Sequence, residues 1–401
     1  MKFIYNKSPW GVSNVFLFLF FVATIISCKK DENKAFVDDT SFVKGQYVVV
    51  LNQAKTKMSP AAFSDMTYKE SQARVRPEIQ KILDRAKVSA DNLLHVYSSS
   101  VIGFSVKLTN DQYKYINNCH EVQSITKDIQ VKVDDEVLED TKKGILFGQH
   151  VPMGIKKVGG FRSGIGKRIW VIDSGVDLDH PDLNVDAKTG ANFCILSEDK
   201  SPDDNLGHGT HVAGTIAAKD NNIGVVGVAA GATIIPIKVL NRDGDGQGSD
   251  FIKAIDYICQ NSKPGDVVNI SIIYGKYVPF EKAVERAAEK GILFAISAGN
   301  DHDDASKWSP QAVIHPNVYK VAAYNIWGTW ASFSNYGECV NVVAPGTWVR
   351  STYKKGKYKY MNGTSMASPH IAGLLALDGR LYPNKTMRCR FDNKNYPAIK
   401  H

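Results

Sequence analysis

Several large classes of protein leave marks that this chain lacks. It has only six cysteines in 401 residues, and no two stand in a close CxxC pair. A structural zinc site of the usual spacing is thereby excluded. An oxidising compartment would permit disulfides, but the spacing of Cys119, Cys194, Cys259, Cys339 and Cys389 does not fix their pairing. No internal repeat is evident, so a solenoid or propeller is not indicated. The formal net charge is +8 and the pI near 8.9, yet the Lys and Arg residues are scattered along the chain. A nucleic-acid surface would gather them on one element, so no nucleic-acid partner is expected. Nor is the chain poor in apolar residues. Hydrophobic residues make up 43% and charged residues 22%, which excludes disorder of the whole chain. The length leaves room for one large domain and a smaller one.

The most apolar run, Val15 to Ile26 (VFLFLFFVATII), falls well short of the ~20 residues that span a bilayer as a helix. Preceded by Lys2 and Lys7, it fits the hydrophobic part of a secretory signal. It ends in Ile25-Ile26-Ser27-Cys28, which resembles a bacterial lipobox. That resemblance implies a signal peptide over 1–27 and a lipid on Cys28. The following Lys29-Lys30-Asp31-Glu32 resembles the surface-export tags of some Gram-negative lipoproteins. The expected location is the bacterial outer membrane, lipid-anchored and exposed at the cell surface, with 28–43 as a polar tether.

From Lys44 the pattern changes. Gln46 to Leu51 reads as a buried strand. Residues 68–87 read as a helix and Val101 to Leu108 as an alternating strand. Thr109 with Gln112 forms a capping box opening a helix over Asp111 to Asn118. Val122 to Ile125 and Ile129 to Val133 complete a small α+β unit, 44–133. Residues 134–148 begin acidic, turn to Lys and Gly, and read as an exposed linker. Beyond Gly166, apolar runs at 168–172, 234–240, 267–273, 292–297 and 318–323 alternate with helical stretches at 249–262 and 279–290. Such alternation predicts an α/β domain, 149–401, with a parallel sheet flanked by helices. Reactive groups in such sheets gather at the carboxyl ends of strands.

Three segments carry chemistry. Val171-Ile172-Asp173-Ser174-Gly175 puts a carboxylate just past a strand. Gly207-His208-Gly209-Thr210-His211-Val212-Ala213-Gly214 puts an imidazole at a helix start. Asn362-Gly363-Thr364-Ser365-Met366-Ala367-Ser368-Pro369-His370 puts a hydroxyl at another. Acyl transfer needs these three groups. A serine hydroxyl is a poor nucleophile until a histidine takes its proton. A buried carboxylate holds that imidazole in the right tautomer. A helix N-terminus offers N–H donors to developing negative charge.

Together the segments resemble the signatures of the subtilisin, or subtilase, family of serine peptidases, in the family's order of Asp, His and Ser. The resemblance runs from about Gln149 to Leu377. It implies that Asp173, His208 and Ser365 are the triad, with His211 packing beneath and Ser368 not reactive. Ala298-Gly299-Asn300 resembles the segment whose Asn amide helps form the oxyanion hole, so Asn300 joins the catalytic set. Asp243-Gly244-Asp245-Gly246-Gln247 resembles the loop that pairs with extended substrate, through Gly244 and Gly246. Asn269-Ile270-Ser271 resembles the other side, through Ser271. Relatives continue there with glycines, whereas this chain has Ile272-Ile273-Tyr274, which implies a narrowed or reshaped pocket. Asp301 is expected at the pocket rim. A calcium site is implied by Gln149, Asp182 and the loop 219–225, with Asp220, Asn222, Ile223 and Val225 as ligands; catalysis itself implies no cofactor. Residues 44–133, with Gly103 to Thr109, resemble the family's propeptide. It assists folding and then blocks the active site as an intramolecular inhibitor. The resemblance implies an endopeptidase acting on protein or peptide substrates, cut from its propeptide within the linker. The chain ends about 36 residues after Ser365, in a polar stretch where relatives commonly have another helix. The rival reading is a surface protein that uses the fold for binding alone; four filled catalytic positions argue against it.

Overall fold

A computed structural model describes residues 41–133, 136–138 and 148–399. The signal segment, Cys28, the tether to residue 40 and most of the linker lie outside the described residues. The first strand, β1 (Phe42–Leu51), shows why the run Val48-Val49-Val50-Leu51 is so apolar. Successive side chains of a strand point to opposite faces. Tyr47, Val49 and Leu51 pack into a core with Val75, Ile79, Ile82 and Phe104, while Val48 packs with Trp170, Ile237 and Phe251. One face is covered by the small unit's helix and the other by the large unit.

That helix, α1 (Tyr68–Arg85), opens on a capping box between Thr67 and Glu70. It buries Val75, Ile79, Ile82 and Leu83, spaced for one helical face. Strands β2 (Leu93–Tyr97) and β3 (Gly103–Lys107) follow. Next come α2 (Asn110–Asn117), with the expected box between Thr109 and Gln112, β4 (Val122–Lys132) and the short β5 (Glu136–Leu138). β2 has no counterpart among the expected strands, and β4 runs unbroken where two strands, at 122–125 and 129–133, are expected.

The larger unit begins its sheet with β6 (Arg168–Asp173), then α3 (His208–Ala217) and β7 (Thr233–Lys238). There follow β8 (Asp245–Gln247), α4 (Gly248–Asn261), β9 (Val267–Ile270), α5 (Val278–Glu289) and β10 (Leu293–Ser297). Then come β11 (Val318–Tyr324), β12 (Val342–Pro345), β13 (Val349–Tyr353) and β14 (Lys357–Asn362). The chain continues with α6 (Thr364–Asp378), β15 (Pro383–Arg388) and β16 (Asn395–Ile399). The main sheet runs β15-β16-β12-β11-β10-β9-β6-β7, and every pair from β16 to β7 is parallel. Ile169 and Val171 of β6 belong to the core shared with α3 and α6. Trp170 and Ile172 belong to the core shared with α4 and α5. Helices therefore cover both faces, and the sheet reads as continuous apolar runs. The polar C-terminal stretch forms the hairpin β15–β16 on the sheet's edge. The polarity of β15 follows from its exposure there.

The small unit's sheet does not stop at its own strands. Its order is β8-β4-β1-β3-β2, so the large unit's β8 is its edge strand. Beside this seam, Asp256 of α4 accepts the consecutive backbone N–H groups of Ser98, Ser99 and Ser100 at 2.6–2.9 Å. It also accepts the Tyr68 and Ser100 hydroxyls, both at 3.1 Å. Gln46 donates to Asp128 at 2.7 Å and to Gln247 at 2.6 Å. His95 and Asp250 meet at 2.8 Å. Burial drives both toward their neutral forms, His95 down to about 3 and Asp250 well up.

Candidate active site

Asp173 sits at the carboxyl end of β6 and is fully buried. Its Oδ1 accepts the Ser174 N–H at 2.7 Å and faces His208 Nδ1 at 2.7 Å. An acceptor on that side assigns the imidazole proton to Nδ1 and leaves Nε2 as the basic nitrogen. Two glycines make the approach close. Gly207, with φ of +110°, precedes α3, and a Cβ on it would meet the Tyr353 ring at 2.3 Å. A Cβ on Gly209 would lie 2.0 Å from Gly175 O and 3.1 Å from Asp173 Oδ1.

Asp204, outside the three signature segments, fixes this turn. Asp204 is buried and accepts the N–H groups of Leu206, Gly207 and Thr210 at 2.8–2.9 Å, and the Ser174 hydroxyl at 2.9 Å. Burial pushes its carboxyl pKa up, against the pull of these donors. Its signal was available: an Asp four residues before His208 lies where a helix start wants an acceptor. Lys238, buried at the end of β7, donates to Ser174 O at 2.5 Å. Burial lowers its pKa, and nothing in its spacing pointed to it.

Ser365 is the second residue of α6. Its hydroxyl donates to Ser271 O at 3.0 Å, and the Ser271 hydroxyl donates to Ser365 O at 2.9 Å. Asn269 Nδ2 supports Ser271 Oγ at 2.8 Å, and Ser368 donates to Asn269 Oδ1 at 2.8 Å. Ser368 is thus turned into the interior. His211 likewise packs beneath, its Nε2 within 3.0 Å of Val349 O and 3.2 Å of Lys359 O. Asn300 Oδ1 accepts both the backbone N–H and the hydroxyl of Thr364 at 2.9 Å. A backbone N–H can only donate, so the oxygen must face Thr364 and the NH₂ the opposite side.

The substrate-loop residues fall on two sides of this centre. Gly246 pairs with Val131 of β4, and Gly244 O accepts Val133 N at 3.0 Å. Asp301 is exposed and accepts Asn335 Nδ2 at 3.3 Å. Of the bulky residues after Ser271, Tyr274 turns away to stack on Phe251 and Phe280, with ring centroids 5.4 and 5.5 Å apart. Ile273 leans on Gly299, where a Cβ would meet its Cδ1 at 2.3 Å. Gln311, buried and unremarked in the sequence, donates to Ser297 O at 2.6 Å.

Gln149, Asp182 and the loop 219–225 do come together. Gln149 Nε2 reaches Lys219 O at 2.8 Å, Lys219 N reaches Asp182 O at 2.9 Å, and Val225 N reaches Asp182 Oδ2 at 3.0 Å. Within the loop the placement differs from expectation. Asp220, Asn222 and Ile223 have exposed side chains, and Asn221 is the residue turned to Asp182, at 2.8 Å. Its Oδ1 is fixed by the Ile223 N–H at 2.8 Å, which aims the nitrogen at the carboxylate. Asp182 is fully buried, and Asn221, Val225 and Tyr358 surround it with neutral donors. Burial raises its pKa. The side-chain oxygens of Asp182 thus meet donors only, and Asn221, rather than Asp220 or Asn222, is the loop side chain turned to it. Among the described residues, no group of three or more His, Cys, Asp or Glu side chains gathers as a metal cluster.

Two parallel-sheet cores, a carboxylate–imidazole pair at the strand ends and a serine at a helix start define a serine peptidase of the subtilisin type. The chain belongs to the subtilase family, whose model matches residues 164–389, and the peptidase inhibitor I9 model matches residues 46–134. It is 37% identical over 287 residues to subtilisin NAT of Bacillus subtilis subsp. natto, covering 69% of this chain and 74% of that one. It is 33% identical over 342 residues to a thermostable alkaline protease of Halalkalibacterium halodurans, covering 82% and 88%. Among solved structures, a cold-adapted subtilisin-like serine proteinase aligns with a TM-score of 0.55 at 30% identity, over 62% of this chain and 97% of that one. The protein is a serine endopeptidase, a hydrolase, with an inhibitor-type propeptide.

Proposed function

We propose that the chain is the precursor of an exported endopeptidase that works through an acyl-enzyme and frees itself from its own propeptide. The observation that carries this reading is the 2.7 Å pair of Asp173 and His208 at the sheet's carboxyl edge, with Ser365 at a helix start nearby. Ser365 Oγ attacks the substrate carbonyl carbon, and His208 Nε2 takes its proton. Asp173 stabilises the imidazolium that results. The carbonyl oxygen, now negative, is met by Asn300 Nδ2 and by the N–H groups at the start of α6. His208 then protonates the departing amine. Water, activated by the same imidazole, releases the acyl group and restores Ser365. Gly244, Gly246 and Ser271 align the substrate backbone, and Asp301 lies at the rim of the cleft.

Calcium would be held by Gln149, Asp182, Asn221 and the backbone carbonyls of Ile223 and Val225. It would neutralise Asp182 and tie residue 149 to the loop. Export rests on the signal segment, and membrane attachment on a lipid at Cys28. A fluorophosphonate probe tests the chemistry. The processed enzyme should label on Ser365, and Ser365→Ala should lose both label and proteolysis. Label surviving in that variant, or found on Ser368, would overturn the assignment.

A further inference from the structure

One wall of the cleft carries charge of a single sign. Between Trp348 and Ser365 the chain has Arg350, Lys354, Lys355, Lys357 and Lys359, and no Asp or Glu. These residues form the β13–β14 hairpin, and the hairpin is pinned beside the catalytic centre. The Ser351 and Thr352 hydroxyls donate to His211 O and Thr210 O, both at 2.7 Å. The Tyr353 hydroxyl donates to Leu206 O at 3.0 Å. The hairpin therefore lies against the first turn of α3, which carries His208. Asp177 and Asp182 reach it from other elements, where they accept the Gly356 N–H at 2.9 Å and the Tyr358 hydroxyl at 3.2 Å. Among the described residues, none of the four lysines forms an ion pair. Lys354 Nζ instead donates to Asn205 O at 2.5 Å, three residues before His208, and Lys359 Nζ lies 4.9 Å from the centre of the Tyr353 ring.

Chain direction says which part of a substrate meets this wall. β4 ends its ladder on β8 with Lys132 opposite Asp245, and the chain next pairs with β14, where Glu136 stands opposite Asn362. The acyl side of a substrate thus belongs to β8 and the leaving side to β14. Among the described strands, β14 has β13 on one edge and only β5 on the other. Such an edge takes an extended peptide through its backbone, and its side chains decide which peptide. Val137 stands opposite Met361 and Leu138 opposite Tyr360. In the same register, the next residue of a substrate strand stands opposite Lys359, where facing Cβ atoms are about 5 Å apart. The stretch of this chain that supplies β5, residues 134–140, has five Asp or Glu in seven positions. Resting on the endopeptidase reading above, we propose that the enzyme selects protein substrates with Asp or Glu on the leaving side, and that Lys359 and Lys354 set this preference. Exposed ion pairs contribute little each, so the preference is graded rather than absolute.

Peptides with one acyl side and a varied leaving side test this, cut by enzyme produced from the full chain, with kcat/KM as the readout. Glu is moved one position at a time along the leaving side. At its best position it should raise kcat/KM over Ala by about 2- to 5-fold, and Lys there should lower it by a similar factor. The same Glu on the acyl side controls for the overall positive charge of the molecule and should give a smaller gain. Lys354→Glu combined with Lys359→Glu should invert the ratio of Glu to Lys peptides, and Lys354→Gln with Lys359→Gln should bring it toward one. Both peptides meet the same preparation, so the ratio does not depend on how much of a variant folds. An equal gain on the acyl side, no gain at any leaving-side position, or a ratio that survives both double variants overturns the preference and leaves the peptidase reading standing. A wild type that cuts none of the peptides overturns that reading, and the preference with it.

Discussion

Thr364 shows how much of the catalytic geometry is held by a residue with no part in the bond changes. Its N–H and hydroxyl both bind Asn300 Oδ1, and its hydroxyl oxygen accepts Gly299 N at 3.0 Å. One side chain thus sets both the rotation of the Asn300 amide and the backbone before it. Removing the donor should let the amide turn. Asn300→Ala is expected to lower kcat by on the order of 10²–10³, a figure measured on a subtilisin and borrowed here. Thr364→Val should lower kcat about 3- to 10-fold, the worth of a typical hydrogen bond, with KM nearly unchanged, and Thr364→Ser should restore it. Steady-state kinetics on a small amide substrate separate these outcomes. A larger effect on KM than on kcat would mean that Thr364 shapes the substrate pocket instead.

At the scale of elements, the same rule explains strands that look alike in sequence and differ in role. A run such as Val48 to Leu51 or Ile169 to Ile172 is apolar at every position because both faces are buried, each against a different core. α4 shows the polar counterpart. Its face toward the small unit carries Asp256, which takes three successive N–H groups. Losing that carboxylate strands buried donors, a loss of roughly 2–5 kcal/mol. Asp256→Ala should therefore shorten the lag between processing and the appearance of activity by tenfold or more. Its kcat on a small substrate should stay that of wild type. An unchanged lag would mean that the β4–β8 ladder alone holds the propeptide. The Asp182 loop makes a separate claim. If it binds calcium, chelation should lower Tm by several degrees, since an ion at 100 times its Kd contributes about 2.7 kcal/mol. Asp182→Asn should lose that sensitivity. Identical melting of wild type with and without chelator would remove calcium from the account.

For the whole molecule, the order of parts along the chain has a mechanical consequence. The proposed lipid sits at Cys28, ahead of the propeptide, and the proposed cut falls after it. On these two proposals, the catalytic part would stay at the membrane after processing through the noncovalent seam around β8, Asp256 and the His95–Asp250 pair. Release into solution and release from inhibition would then be the same event. Cys28→Ala should move the unprocessed precursor from the membrane to the soluble fraction, because its one anchoring signal is gone. Fractionation unchanged in that variant, with no lipid label on wild type, would remove the anchor.

Much of this was legible from residues alone, for a physical reason. Helix boxes such as Thr109–Gln112, apolar runs and the Asp, His and Ser segments are local, and the chemistry of close approach demands glycine beside them. The sequence therefore determined the class of fold and the kind of reaction. What it left undecided depends on partners far away in the chain. The β13–β14 hairpin and the C-terminal hairpin are polar, and their pairing appears only when the chain is folded. Asp204 and Lys238 look like ordinary surface charges until burial beneath Ser174 gives them a task. Asn221 rather than Asp220 or Asn222 faces Asp182 because the turn of the loop, not its composition, aims the side chains.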